Sequence, residues 1–247
     1  MIHQFIFAHP RPGMTEEEFQ RYWVEVHAVQ YASKIPQIRK YLVDTRLAIP
    51  GESGAPLWGG VAEIWLENEQ EQLASLQSRE FLLGARLDEP KWAAFWRTIA
   101  LDTRSHVLLA GPGETRASGQ VKLLVLSKRK EGLPLESFRT YCLSTHAARA
   151  MELPGLLRYS QGLVRDNFYA VGEALLDCVE QFWFESRDAF LAAQASVQQE
   201  IVNADYQFFA HERYIHKMLV SEHWIIGPEP RLYKDQAVVA SLRAEGD

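Results

Sequence analysis

The chain has 247 residues, enough for one large domain or two small ones, and its 47% hydrophobic and 23% charged residues suit a globular protein with a sizeable core. A formal charge of -6, from 26 basic and 32 acidic residues, argues against a general binder of nucleic-acid backbones. No apolar run approaches the roughly 20 residues that span a bilayer, and Cys142 and Cys178 supply neither a disulfide framework nor a zinc knuckle, so a cytoplasmic protein is expected.

Residues 2–8 read as a short apolar strand, without the charged leader or small-residue cleavage site of a signal peptide. Thr15, with Glu18 three residues on, forms a capping box for a helix that ends near Ser33, before Ile35-Pro36. Strands follow at 38–47 and 60–66, then a helical stretch at 69–96 that Pro90 should break, then a strand at 99–109. Gly111-Pro112-Gly113 and Gly119 mark a linker at 111–120. Beyond it come a strand at 121–127, a helix from Pro134 to near Met151 and strands at 156–165 and 175–184. A helix at 187–213, a strand at 214–226 and a polar tail from Lys234 that should wrap the surface complete the chain.

This order is one unit written twice. Phe19-x-x-Tyr22-Trp23-x-x-x-His27 returns as Phe138-x-x-Tyr141-Cys142-x-x-x-His146, offset by 119 residues (138 − 19). Pro36-x-Ile38-x-x-Tyr41 returns at Pro154, Leu156 and Tyr159, and Val61 to Trp65 returns at Val179 to Trp183. Asp88-x-x-x-Trp92 matches Asp205-x-x-x-Phe209, and Ser105-His106-Val107 matches Glu222-His223-Trp224. The fold class predicted is therefore α+β: two ferredoxin-like βαββαβ repeats that pair into an intramolecular barrel, each burying the other's bare sheet face. The expected divisions are repeat one at 1–110, the linker at 111–120, repeat two at 121–228 and a tail at 229–247.

The motif Arg11-Pro12-Gly13-Met14-Thr15-x-x-x-Phe19-x-x-Tyr22-Trp23-x-x-x-His27 resembles the signature of the EthD family, within the dimeric α/β-barrel superfamily. Ile38-x-x-Tyr41, the Trp65 strand, the Asp88 helix and Ser105-His106-Val107 fit the same pattern. Copy two fits more loosely, with Cys142 for Trp23, Ser144 for Glu25 and Glu131 for Pro12. The resemblance implies proteins as varied as accessory factors of ether breakdown, polyketide cyclases, dehydratases and decarboxylases. Related barrels include monooxygenases, some cofactor-free and some haem-dependent, and a shared fold does not choose among these.

The chemistry is expected to rest on His27, which shares a helical face with Trp23, and on His106 of the last strand, the two converging on one ligand. His27 would take a proton from carbon next to a carbonyl, while His106 and a tyrosine, Tyr22 or Tyr41, hold the developing oxyanion. The plainer reading makes the histidines and tyrosines packing residues at the helix–sheet seam. Glu63, in step with Val61 and Trp65 and replaced by Gln181 in copy two, is a further candidate acid or base. Trp23 and Trp65 are expected as cleft walls, with His146 and His223 as ligand contacts in copy two. The histidine spacings fit no metal site, and no phosphate-binding or dinucleotide motif is present. The function expected is a cofactor-free lyase, cyclase or decarboxylase for an apolar carbonyl-bearing or aromatic molecule, with copy one the active half. A carrier of a hydrophobic ligand is the alternative, and haem-dependent or cofactor-free oxygenase chemistry is left open because any buried histidine can be an axial ligand. The partner is a hydrophobic small molecule, not nucleic acid or membrane, and the fused pseudo-dimer could associate further into a homodimer.

Overall fold

The structure, a computed structural model, describes residues 1–52, 54–113, 115 and 119–232. Part of the 111–120 linker and the tail from Lys234 lie outside the described residues. In the first repeat, β1 (Ile2–Ala8) leads to α1 (Glu16–Tyr22), which runs on as a π-helical segment, Trp23–Tyr31. Then come β2 (Lys40–Leu47), β3 (Gly60–Leu66), α2 (Glu69–Gln77), a π-helical turn at Phe81–Ala85, α3 (Arg86–Asp88) and β4 (Ile99–Leu109). The second repeat has β5 (Val121–Arg129), α4 (Leu135–Tyr141), a π-helical turn at Cys142–His146 and α5 (Ala147–Ala150). It continues with β6 (Leu156–Val164), β7 (Cys178–Phe184), α6 (Arg187–Gln194), α7 (Val197–Phe209) and β8 (Ala210–Ile226).

Local sequence accounts for these limits. Thr15 accepts the Glu18 amide at 3.2 Å while the Glu18 carboxylate accepts the Thr15 amide at 2.9 Å, the reciprocal bonds of a capping box. The stretch read as one helix at 69–96 is several short pieces. Ser78 ends α2 and its hydroxyl accepts the Phe81 amide at 3.1 Å, restarting the chain as a new turn. Pro90 then sits in a 3₁₀ turn, Glu89–Lys91, where its missing N–H costs no helical bond. Copy two has no proline here, and α7 runs unbroken to Phe209.

Hydrogen bonding joins the strands as a closed barrel in the order β1-β3-β2-β8-β5-β7-β6-β4. The two repeats use the same register. Tyr41 faces Ile64 and Val43 faces Ala62 between β2 and β3, while Tyr159 faces Phe182 and Gln161 faces Glu180 between β6 and β7. Position 62 of copy one is thus position 180 of copy two (180 − 62 = 118, as 159 − 41 = 118).

The described chain forms two compact units. The first holds residues 1–45, 54–100 and the chain from His223, and the second holds 46–53 and 101–222. Each therefore includes strand residues from beyond the linker. In the second unit β4 pairs with β6, Thr103 opposite Val164 and His106 opposite Gln161. In the first, the Thr45 hydroxyl lies 2.9 Å from His223 Nε2 of β8.

Strand alternation sorts the side chains of each unit. In the first, Ile2, Ala8, Val43, Ala62, Ile64 and Leu66 pack with Phe19, Trp23, Ala28 and Trp92 of the helical segments. In the second, Leu123, Val125, Tyr159, Phe182 and Phe184 pack with Phe138, Tyr206 and Phe209. The first helix lies close on β3 at Gly60, where a β-carbon would stand 2.6 Å from the Asp44 carbonyl oxygen and 3.2 Å from the Trp23 ring. Gly60→Ala should therefore cost about 1–3 kcal/mol, as expected for overpacking. Chemical denaturation would measure it, and an unchanged midpoint would show that the helix does not sit this close.

Candidate functional site

Five residues along an α-helix turn through roughly 140° beyond a full circle, so Tyr22 and His27 would not share a face. The π-helical course from Trp23, with its wider turn, brings them together. Both reach one carboxylate: the Tyr22 hydroxyl donates to Asp88 Oδ1 at 2.9 Å, and His27 Nδ1 lies 3.0 Å from Oδ2. Lys91 adds an ion pair to Oδ1 at 3.1 Å. A carboxylate only accepts, so the His27 proton sits on Nδ1 and the neutral ring keeps its lone pair on Nε2.

The electrostatics agree with a neutral base. Burial pulls the His27 pKa below the ordinary imidazole value, overcoming the bond and charge of Asp88. Burial works to raise the Asp88 pKa, but the bonds from His27, Lys91 and Tyr22 prevail and leave it lowered. The Tyr22 hydroxyl is pushed up to about 12, by burial first and then by Asp88, and so stays protonated.

His27 lines a cavity of about 280 Å³ in the first unit, together with Trp23, Tyr41, Ala62, Ile64, Phe81 and Trp92. Among the lining residues the polar groups are His27, the Tyr41 hydroxyl, the indole N–H groups of Trp23 and Trp92, Arg86 of α3 and, between α3 and β4, Glu89 and Thr98. The Trp23 indole N–H donates to the Tyr41 oxygen at 3.3 Å, which leaves the Tyr41 proton to donate elsewhere. Burial raises the Tyr41 pKa, so it too remains a donor.

Copy two keeps the anchor and changes what meets the other ring nitrogen. Tyr141 donates to Asp205 Oδ1 at 2.7 Å and His146 Nδ1 lies 2.7 Å from Oδ2, again across a π-helical turn. Arg149 pairs with the same carboxylate. On the other side of the ring, His146 Nε2 meets Glu180 Oε1 at 3.0 Å. Glu180 also accepts from Tyr159, and from Tyr206 at 2.5 Å. His146, Tyr159, Glu180 and Tyr206 are all buried. Although burial opposes it, the charge of Glu180 raises the His146 pKa, the reverse of the shift at His27. Burial likewise resists ionisation of Glu180, but His146 and the two tyrosines lower its pKa.

The residues singled out from sequence divide accordingly. His27, Trp23 and Tyr41 line the cavity, and Tyr22 orients His27 through Asp88. Glu63 and Trp65 do not line it, because residues 62 and 64 face the helices and 63 and 65 face away. Glu63 instead lies 2.6 Å from His3 Nε2, and Trp65 stacks on His3 at 4.1 Å with Lys40 4.7 Å above its ring. His106 belongs to the second unit, on β4 opposite Gln161, and is not among the residues lining the His27 cavity. His223 meets Thr45, and His146 lies inside the Glu180–Asp205 network. Asp88 is a site residue that no single motif in the sequence marks as one. Its signal was present in the repeat, where Asp88 and Asp205 stand at matched positions after matched histidines.

A porphyrin does not fit. At about 280 Å³ the cavity falls just below the roughly 300–1,000 Å³ range for drug-sized ligands, and Trp92 lies 4.7 Å from the His27 ring. Among the described residues no group of three or more His, Cys, Asp or Glu side chains could hold a metal ion.

The network in copy two has a definite pH dependence. The raised His146 pKa contributes stability that is complete below the ordinary imidazole value, about 6.5, and lost as pH rises through its folded value. The lowered Glu180 pKa contributes stability that is complete above about 4.5 and lost as pH falls through its folded value. Glu180→Ala should thus cost about 3–5 kcal/mol by leaving a buried partner unpaired. The cost, measured by denaturation from pH 6 upward, should shrink as His146 deprotonates; a cost that grew with pH would contradict this charge assignment.

The family and its structural relatives agree with the fold. The EthD domain matches residues 11–95 and 130–212, more than half of the chain and once in each repeat. Among curated proteins none matches the sequence. Among solved structures, an anthrone oxidase-like protein has 11% identity and a TM-score of 0.59 over 91% of this chain and 92% of its own. A provisionally named monooxygenase from Fusobacterium nucleatum has 7% identity and a TM-score of 0.57, over 93% and 94% of the two chains. No described helix is long and apolar enough to cross a membrane. The chain belongs to the EthD family, as two tandem copies of its domain.

Proposed function

We propose that copy one is a cofactor-independent acid–base catalyst for an apolar aromatic or carbonyl-bearing molecule, of lyase, cyclase or decarboxylase type. The observation that carries this reading is a buried histidine, tied at Nδ1 to a carboxylate, on the wall of an apolar cavity. Asp88 holds the imidazole in the tautomer that offers Nε2 as base and balances the charge that forms when Nε2 takes a proton. Tyr41, polarised by the Trp23 N–H, supports an oxyanion developing on the substrate. A cofactor-free oxygenase would begin with the same deprotonation. Copy two, whose imidazole is already engaged at both nitrogens, serves as structure in this reading.

Anthrone, the compound in the name of one structural relative, is an apolar aromatic ketone with an acidic methylene and makes a suitable first probe. Under argon in D₂O, the protein should accelerate deuterium entry at that methylene, followed by NMR, across a panel that adds other aryl ketones. His27→Ala should slow exchange by about 10²–10⁴-fold with the fold intact, and Asp88→Asn by about 10²-fold through loss of the tautomer. Equal exchange by wild type and His27→Ala would remove His27 as the base. Tight binding without exchange across the panel would favour the carrier reading instead.

The pH profile follows from the shift at His27. Because its pKa lies below the ordinary value, the free base persists under pH 6.5, and the rate should fall on the acid side only through that lowered pKa. An acid limb above pH 7 would mean that another group limits the reaction.

A further inference from the structure

Copy two holds, in its own side chains, a ring and an anionic oxygen where copy one has a cavity. Glu180 stands at the position of Ala62, and Tyr206, one residue after Asp205, at the position of Glu89, one residue after Asp88. Ala62 and Glu89 both line the cavity. The Glu180 carboxylate lies between His146 Nε2 and the Tyr159 hydroxyl, and the Tyr206 ring lies 4.7 Å from the His146 ring. His27 and Tyr41 are the copy-one equivalents of His146 and Tyr159. Gln161 donates into the Tyr159 oxygen at 2.5 Å, as Trp23 donates into that of Tyr41.

From this correspondence we infer that the cavity of copy one takes an aromatic ligand bearing one acidic oxygen, a carboxylate or phenolate, held between His27 Nε2 and the Tyr41 hydroxyl. The inference rests on the role proposed for this cavity and adds the ligand class. Ala62 leaves the room that the Glu180 carboxylate fills, and the apolar walls receive the ring that Tyr206 supplies in copy two. Once a proton has moved to Nε2, His27 becomes an imidazolium beside an oxyanion, the charge arrangement that Glu180 and His146 hold permanently. A carboxylate that arrives already ionised must instead draw that proton from solvent. Its binding therefore takes up one proton at neutral pH, because His27 is neutral when free and charged when paired. A phenol brings its own proton, and none is taken up.

Three probes on one skeleton test this by titration calorimetry: 2-naphthoate, 2-naphthol and naphthalene. Naphthoate, naphthol or both should bind at least tenfold more tightly than naphthalene. Buffers of different ionisation enthalpy should show about one proton taken up with naphthoate and none with naphthol, which tells the two oxygen sources apart. Tyr41→Phe and His27→Gln should each reduce the preference over naphthalene to about threefold or less. Ala62→Glu should rebuild copy two, abolish probe binding and raise the His27 pKa above 6.5 by NMR titration. Equal binding of the three probes, no binding of any, or an Ala62→Glu variant that binds them like wild type would overturn the inference. Exchange activity without this preference would overturn the inference alone, whereas the preference with proton uptake but no exchange would overturn only the catalytic reading.

Discussion

A buried carboxylate behind each histidine is the constraint from which the rest of the site follows. Asp88 and Asp205 each take a tyrosine on one oxygen and an imidazole on the other, and the π-helical turn exists where residues five apart must reach one acceptor. With Nδ1 fixed, the only freedom left to the ring is what meets Nε2. Copy one offers an apolar hollow and copy two offers Glu180, and the same imidazole is neutral in the first and favours its charged form in the second.

The two solutions differ in what they yield. Copy two surrounds a buried charge with the hydroxyls of Tyr159 and Tyr206, the Gln161 amide and the His146 ring, and in a low-dielectric interior such a network gains strength from each bonded member. Copy one forgoes the packing that a filled site would bring, since atoms lining a void lack dispersion partners on one side. Proteins keep losses of that kind where function requires them, in accord with the roles proposed for the two copies.

Much of this was legible in the residues, and the omissions have physical causes. Thr15 and Glu18 announce the first helix because a capping box is a local device, and the repeat is visible because strand register preserves spacing. Asp88 lies 61 residues from His27, so the repeat matches it with Asp205 while its bond to the imidazole appears only in the tertiary fold. Nothing local in Tyr22 to His27 signals a π turn; i, i+4 reasoning paired His27 with Trp23, while the carboxylate partner is shared with Tyr22 at i+5. Glu63 against Gln181 is the charge asymmetry that the sequence displays on the third strand. The one that alters the cleft is a residue earlier, Ala62 against Glu180, and a step of one along a strand exchanges one face for the other. A carboxylate with a histidine at 2.6 Å, as at Glu63, also looks the same in sequence as one free to act.

The composition of the compact units bears on how such a chain can change. Each unit includes strand residues from the far side of the linker: β4 for one, the end of β8 for the other. Two tandem copies that share strand residues in this way can differ in their clefts while their folding stays linked. Copy two carries Glu180 and Tyr206 where copy one has Ala62 and Glu89, while the end of its last strand belongs to the first unit. A half whose cleft is filled by its own side chains can thus remain as scaffold for the half whose cleft is open.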